Sequence, residues 1–177
     1  GVDQIEARIT DRTCAIIVAH ISGTPADLDP ILTLARARRI PVIEDCAQAH
    51  GAHYKGQVVG SLGDMSVFST MFGKHHATGG QGGVVFTKQE PLYWRIRRYA
   101  DRGKPFGLQE QGGNVVASLN CNMDEIHAAI GREQLKKLPG IIRRRRELAA
   151  TIGAGCEQSL QAVRLMGDPP DCQGAYW

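Results

Sequence analysis

Residues 14–45 read CAIIVAHISGTPADLDPILTLARARRIPVIED, and this stretch decides the fold. It begins with a short apolar run, residues 14–20, and ends with a second one, residues 41–45. Neither run alternates between apolar and polar residues, which is typical of strands buried on both faces of a parallel sheet. Between them, Asp29 predicts an N-cap for a helix over about residues 30–38. Strand, helix and strand together predict a β-α-β unit.

The rest of the chain extends this pattern. It contains one glycine-spaced segment, two further apolar runs and three stretches with helical periodicity. These predict turns or a hairpin at 51–63, strands at 65–69 and 83–87, and helices at 91–102, 123–138 and 141–152. Pro139 and Gly140 are expected to break or kink the chain between the last two helices. The predicted fold class is α/β, with a mostly parallel sheet and helices on both faces.

The last two predicted helices carry an apolar stripe and a run of arginines. Met123, Ile126, Ile130 and Leu138 have the spacing of a stripe that faces a core. Residues 143–146 are four consecutive arginines, which fan around a helix and do not form a one-sided basic stripe. The run therefore indicates a helix that faces solvent or another subunit, and not a nucleic-acid interface.

Composition and charge exclude several classes of protein. The 177 residues suffice for one domain with a sizeable core, and the net charge of +3 is too mild to require a nucleic-acid partner. No apolar run is long enough to cross a membrane. None of the five cysteines forms a C-x-x-C pair, so the spacing indicates neither a zinc site nor a disulfide framework, and we predict no metal site. Scattered free thiols favour a cytoplasmic location.

Polar side chains follow the predicted strands where each strand ends. His20, Asp45 and Ser69 close the first three strands, and Lys74 follows within five residues. Open α/β sheets bind ligands at this carboxyl edge. Together with Gln48, the residues Asp45, Ser69 and Lys74 suit pyridoxal 5′-phosphate. The lysine offers an amine for a Schiff base, the aspartate a carboxylate for the pyridine nitrogen, and the hydroxyl and amide offer donors for the phosphate and the phenolic oxygen. His20 is interpreted only as a residue near the site.

Two stretches carry a resemblance to a known family. Residues 42–64 (VIEDCAQAHGAHYKGQVVGSLGD) and 67–87 (VFSTMFGKHHATGGQGGVVFT) closely resemble the DegT/StrS-type sugar aminotransferases, which are fold-type I pyridoxal-phosphate enzymes. The resemblance continues through residues 20–31 and 119–135 and covers about residues 12–146. It implies that the sheet is part of the large domain of such an enzyme.

The resemblance implies a role for each site residue. Lys74 matches the Schiff-base lysine, which also serves as the base that moves a proton between carbon atoms. Asp45 matches the carboxylate on the pyridine nitrogen, and Gln48 the side chain at the ring and its phenolic oxygen. Ser69 matches the phosphate-binding serine. Asn120 matches an asparagine that reaches the phosphate site of the neighbouring subunit, which implies a homodimer with shared active sites.

The resemblance also implies a reaction and a domain organisation. The reaction is transfer of an amino group from glutamate or glutamine to a keto-sugar, carried on a nucleotide in most relatives and replaced by a cyclitol ketone in some. Residues 1–153 are expected to be part of the large, cofactor-binding domain, whose N-terminal part is missing, and residues 154–177 the truncated start of a C-terminal small domain. Two alternatives stay open: a pyridoxal-phosphate sugar dehydratase of the same family, and a non-catalytic member that acts as a sensor or binding protein.

The chain departs from the family pattern near the lysine. His75 stands where an asparagine is usual, followed by His76, and Gln81 occupies the glycine-rich turn. Asn122 stands where the family often has an arginine. One branch of the family replaces the lysine with histidine and removes an oxygen instead. The distance of Lys74 from the third strand favours transamination, and the roles of the two histidines stay open.

Overall fold

The computed structural model describes residues 1–108, 112–159 and 167–177. The helices are α1 (Val2–Glu6), α2 (Leu28–Arg38), α3 (Glu90–Ala100) and α4 (Glu125–Ser159). The strands are β1 (Ile16–Ala19), β2 (Val42–Asp45), β3 (His53–Tyr54), β4 (Gln57–Val58), β5 (Met65–Ser69), β6 (Gly83–Phe86) and β7 (Cys172–Gln173). A 3₁₀ turn, Ile21–Gly23, follows β1. None of the described helices has the length and apolar character that a membrane crossing requires.

The main sheet has four strands in the order β1-β2-β5-β6. Strands β1, β2 and β5 are parallel, and β6 runs antiparallel to β5. The predicted α/β class with a mostly parallel sheet is therefore confirmed. The predicted hairpin is also present, as β3 and β4, and β7 adds to it to form a small antiparallel sheet.

One face of the main sheet packs against α2. The strand residues on this face include Ile16, Val18 and Val42, each less than a tenth exposed, and the helix contributes Leu28 and Ile31. Burying each such aliphatic side chain stabilises the fold by roughly 1.5–3 kcal/mol. The apolar runs of the sequence thus form the core that fixes the strands in register.

Helix α2 begins at Leu28, two residues earlier than predicted, with Asp27 as its N-cap. The prediction of Asp29 as the cap is wrong because a distant side chain caps the helix. The hydroxyl of Tyr54 donates to Oδ1 of Asp27 at 2.7 Å and accepts the N–H of Asp29 at 3.1 Å. It therefore satisfies a first-turn N–H that has no partner within the helix.

Helix α4 is continuous through Pro139, so the prediction of two helices is wrong. A proline inside a helix removes one hydrogen bond and crowds the preceding turn, which costs about 3 kcal/mol. Contacts on both sides of the proline offset this cost. Before it, Nε2 of His76 bonds the carbonyl of Gly131 at 2.9 Å; after it, the buried Ile142 packs directly on Gly51, which has no side chain to obstruct it.

The apolar stripe of α4 is not a core stripe within this chain. Ile126 is 74% exposed, and Met123 and Ile130 are also exposed. The core prediction for these three residues is wrong because periodicity shows which residues share a helix face and not which surface covers that face. Leu138 is half-buried.

The described C-terminal residues pack into the same body as the main sheet. Ala175 is fully buried in the core, and its N–H donates to the carbonyl of Gly23 at 2.9 Å. Arg145 and Arg146, in the arginine run of α4, point toward this segment: Arg145 donates to the carbonyl of Tyr176 at 2.7 Å and Arg146 to that of Gly174 at 2.8 Å. The domain boundary after residue 153 stays a prediction.

Candidate active site

The strand ends that the sequence singled out meet at one edge of the sheet. Ala19 lies opposite Asp45, and Asp45 lies opposite Val67, in parallel register. Paired residues in neighbouring strands point to the same face, and side chains repeat every second residue along a strand. Asp45 and Ser69, two residues beyond Val67, therefore share a face at the carboxyl edge.

The carboxylate of Asp45 is half-buried and oriented by the chain that follows it. Its Oδ1 accepts the N–H of Ala47 at 3.0 Å. The structure gives Oδ2 no hydrogen-bond partner among the described residues, so this oxygen can accept a proton or an N–H from a ligand.

The side-chain amide of Gln48 is held at its oxygen. Oε1 accepts the N–H of Ser22 at 2.7 Å, and because a backbone N–H only donates, the NH₂ group of the amide must point elsewhere. Ser22 adopts a left-handed conformation, with φ 55° and ψ 19°, which aims its N–H at the amide. The NH₂ group of Gln48 is thereby left available as a donor.

Lys74 lies on a loop that is closed at its base. The hydroxyls of Thr70 and Thr78 are 3.0 Å apart, and the N–H of Phe72 donates to the carbonyl of Gly80 at 2.8 Å. The Nζ of Lys74 lies 4.0 Å from the centroid of the Trp177 ring, the range of a cation–π interaction. Within the described residues, no carboxylate pairs with this amine at 4.0 Å or less.

The other two predicted site residues, Ser69 and Asn120, lie on different segments: Ser69 ends β5 and Asn120 lies near the end of α3. Ser69 is half-buried, and its Oγ accepts the N–H of Met71 at 3.4 Å, so it stands at the start of the lysine loop. Asn120 is exposed and lies beside the end of α3, where it pairs with Asp101, and its Oδ1 accepts from the side chain of Asn122 at 2.9 Å. Its role in a neighbouring subunit stays a prediction.

Glu44 is a buried carboxylate that the sequence did not single out. Its oxygens accept the N–H groups of Gly60, Leu62 and Gly63 at 2.6–2.8 Å and lie 3.2 Å from Nε2 of His20. Burial by itself raises the pKa of Glu44, but the hydrogen bonds from His20 and from these N–H groups outweigh it and hold the pKa below its ordinary value. Glu44 thus ties the loop after β4 to the sheet.

His20 is a buried residue whose two ring nitrogens both have hydrogen-bond partners within the protein. The N–H of Ala26 donates to its Nδ1 at 3.0 Å, so the ring proton lies on Nε2 and points to the carboxylate of Glu44. The side chains of both members of this pair are fully buried.

Three histidines cluster at the lysine loop, and two of them, His75 and His76, belong to it. The ring of His50 lies 5.7 Å from that of His75 and 6.2 Å from that of His76. Burial, together with the charges of His75, His76 and Lys74, lowers the pKa of His50 to about 4. Burial also lowers the pKa of His75, although the carbonyl of Ala175 opposes this. At neutral pH His50 and His75 are uncharged.

The two histidines after the lysine connect its loop to other elements. Nε2 of His75 bonds the carbonyl of Ala175 at 3.2 Å, and Nε2 of His76 bonds that of Gly131 in α4. Both bonds require the proton on Nε2, since a carbonyl only accepts. The departure from the family pattern at these positions therefore supplies anchors for the loop.

Comparison with known proteins gives a consistent set of similarities. The sequence profile of the DegT/DnrJ/EryC1/StrS aminotransferase family matches residues 1–176. The chain is 42% identical to GDP-perosamine synthase of Escherichia coli O157:H7 over 177 residues, all of this chain and 47% of that protein. It is 37% identical to L-glutamine:2-deoxy-scyllo-inosose aminotransferase of Streptomyces lividus over 154 residues, 81% of this chain and 36% of that protein.

Solved structures extend the likeness to the fold. DesV of S. venezuelae, determined in complex with a ketimine intermediate, superposes with a TM-score of 0.90 at 32% identity, covering 99% of this chain and 46% of that one. An aminotransferase from Psychrobacter cryohalolentis gives a TM-score of 0.87 at 35% identity, covering 99% and 48%. The chain spans about half the length of these relatives.

Proposed function

Since this chain belongs to the DegT/DnrJ/EryC1/StrS aminotransferase family, we propose that the protein containing it is a pyridoxal-phosphate-dependent sugar aminotransferase. One observation carries the proposal. Four groups stand at the ends of the neighbouring strands β2 and β5 or within five residues after them: the carboxylate of Asp45, whose Oδ2 has no hydrogen-bond partner among the described residues, the amide of Gln48, the hydroxyl of Ser69 and the amine of Lys74. Each supplies a function that the cofactor requires.

The donor set fits the cofactor in its chemistry. When bound, pyridoxal phosphate supplies an aldehyde that captures amines and a ring that accepts electrons from the substrate carbon. Asp45 would hold a proton on the ring nitrogen through Oδ2. Gln48 would donate from Nε2 to the phenolic oxygen, because its Oε1 is already occupied by Ser22. Ser69 would bind the phosphate, with Asn120 of a second subunit.

Lys74 has two tasks in this proposal. It would anchor the cofactor through its amine, and after a donor has replaced it, the same amine would move a proton between a carbon of the substrate and a carbon of the cofactor. A lysine held on a closed loop suits both tasks, because proton transfer requires the base within hydrogen-bond reach of the carbon-bound proton. His50 and His75, which lie close to this amine, are uncharged at neutral pH and add no positive charge beside it.

The relatives suggest the substrates. One is named for the synthesis of a GDP-linked amino sugar and another for transfer from L-glutamine to an inosose. We assign this protein a keto-sugar acceptor, carried on a nucleotide, and glutamate or glutamine as the donor. The free thiols favour the cytoplasm, and the proposed role of Asn120 implies a homodimer.

The two alternatives lose support at particular residues. A dehydratase of the histidine-based type needs a histidine in the place of the lysine, but Lys74 holds that place and His75 is buried and bonded to Ala175. A non-catalytic sensor would have no need to retain Lys74, Asp45 and Gln48 together. Transamination is therefore the function that the site supports best.

The test is chemical labelling of the full-length protein. Loaded with pyridoxal phosphate and reduced with borohydride, it should carry a phosphopyridoxyl group on the peptide containing Lys74. Lys74→Ala should abolish the label and the activity, whereas Lys88→Ala, which changes an exposed lysine outside the site, should leave both intact. Absence of the label from Lys74 in the loaded full-length protein would contradict the proposal.

A further inference from the structure

Trp177 is fixed in place over Lys74 by bonds to three separate elements. Its backbone N–H donates to the carbonyl of Ser22 at 2.9 Å, and its indole Nε1–H donates to that of Gly73 at 3.3 Å. Arg145 of α4 holds the preceding carbonyl, that of Tyr176, at 2.7 Å. The ring therefore presents its face to the lysine amine from a defined position.

The same turn that holds Trp177 also holds Gln48. Ser22 donates its N–H to Oε1 of Gln48 and accepts the N–H of Trp177 on its carbonyl. Gly23, with φ 84°, brings the turn so close to Tyr176 that a Cβ there would lie 2.5 Å from the Tyr176 nitrogen. The Trp177 ring that contacts Lys74 and the side-chain amide of Gln48 are thus both held by the turn at Ser22 and Gly23.

From this geometry we infer that Trp177 is a positioning residue that receives the Lys74 ammonium whenever a donor amine has displaced the lysine from the cofactor. The inference rests on the proposed function. In the displacement, the donor nitrogen forms a double bond to the cofactor carbon as the bond from that carbon to Nζ breaks, and two protons of the donor ammonium pass to Nζ, so that the lysine leaves as an ammonium. The observation behind the inference is that the Nζ of Lys74 lies over the Trp177 ring, 4.0 Å from its centroid.

The Trp177 ring stabilises the displaced form of Lys74 and not the form bonded to the cofactor. Its negative quadrupole attracts the ammonium that displacement creates and makes no comparable contact with a lysine bonded to the cofactor. Trp177 therefore favours the displaced state, and the ammonium must lose one proton before the amine can act as the base. Because the ring is 44% exposed, the effect should be about two- to fivefold in the displacement equilibrium.

The experiment measures that equilibrium without turnover. The full-length, cofactor-loaded protein is titrated with an α-methyl amino acid, which displaces the lysine but has no α-hydrogen to lose, and the change in cofactor absorbance gives the half-saturation concentration. Trp177→Leu should raise this concentration about two- to fivefold. Trp177→Phe keeps an aromatic face without the indole N–H and should remain closer to the unaltered protein.

A second measurement removes the ring quadrupole without changing the fold. Tryptophans bearing one, two and four fluorines are incorporated site-specifically at position 177, and the half-saturation concentration should rise with each step. Equal values across this series would overturn the inference. Borohydride labelling separates the two proposals: if the unaltered protein carries no label on Lys74, the proposed function itself fails, and if it carries the label while the titrations coincide, only the role of Trp177 fails.

Discussion

The Oε1 of Gln48 accepts the N–H of Ser22 at 2.7 Å, and this bond determines which end of the amide is available to a cofactor. The amide oxygen is used within the protein, so only the NH₂ group is left to donate. A carboxylate in the same place would keep the bond to Ser22 and lose the donor. The two tasks of Gln48 can therefore be separated by one substitution.

Gln48→Glu should weaken binding of pyridoxal phosphate about tenfold or more while the free energy of unfolding changes little. A lost hydrogen bond to a charged oxygen costs roughly 1.5–3 kcal/mol, and the new carboxylate would also repel the phenolic oxygen. Equilibrium titration with the cofactor and urea unfolding measure the two effects. Gln57→Glu, on the exposed strand β4, is the matched control and should leave both unchanged. Equal affinity in Gln48→Glu would refute the donor role.

Glu44→Gln should lower the free energy of unfolding by about 2–4 kcal/mol, because an amide cannot accept at both oxygens from the N–H groups of Gly60, Leu62 and Gly63. Its NH₂ group would instead face one of these donors. Urea unfolding of the full-length protein measures the loss. The control is Glu6→Gln, which breaks an exposed pair with Arg38 and should cost less than about 1 kcal/mol. Losses of similar size in the two variants would contradict the role assigned to Glu44.

Sequence patterns located the strand ends at which the predicted site residues Asp45 and Ser69 stand, and they missed contacts between residues that are distant in the sequence. Asp45 and Ser69 could be found because apolar runs locate parallel strands, whose carboxyl ends share an edge. Trp177 could not, because its indole bonds a carbonyl 104 residues away, and no local pattern encodes that contact. The pairing of His20 with Glu44 is missed for the same reason, since each residue alone looks like an ordinary strand-end polar group.

The arginine run of α4 is a further case in which the sequence did not reveal a distant contact, and it yields a prediction. Arg146 donates to the carbonyls of Gly174 and Gly51, whereas Arg143 points outward toward Glu147 at 3.9 Å. Arg146→Met should therefore lower the free energy of unfolding by about 1.5–3 kcal/mol, as expected for lost bonds from a charged donor. Arg143→Met should change it by less than about 0.5 kcal/mol. Urea unfolding of both variants decides the matter, and equal effects would show that the clamp on the C-terminal segment is not stabilising.

His50 predicts a pH dependence of stability. Its pKa is about 4 in the folded protein against an ordinary 6.5, so between these values the unfolded chain binds a proton that the folded one does not. Stability contributed by the neutral ring is complete above pH 6.5 and is lost as the pH falls toward 4, by roughly 3 kcal/mol at most. The lowered pKa of His75 acts in the same direction.

Urea unfolding at pH 8 and at pH 5 tests this dependence. His50→Gln keeps a polar side chain that cannot bind a proton, so the difference between the two pH values should shrink in this variant. The comparison is made within each protein, which cancels any constant cost of the substitution. An unchanged difference would mean that other groups, such as His75 with its lowered pKa, dominate the acid sensitivity.

Mixed dimers test whether Asn120 serves the neighbouring subunit. Lys74→Ala and Asn120→Ala should each inactivate the homodimer that carries them. If each active site takes Lys74 from one subunit and Asn120 from the other, a mixed dimer has one site with both residues intact. Random exchange of subunits should then restore activity in about a quarter of the sites. If both residues act within one subunit, every site in the mixed dimer lacks one of them and no activity returns. Activity of the mixture after exchange, compared with the two variants kept apart, distinguishes these arrangements.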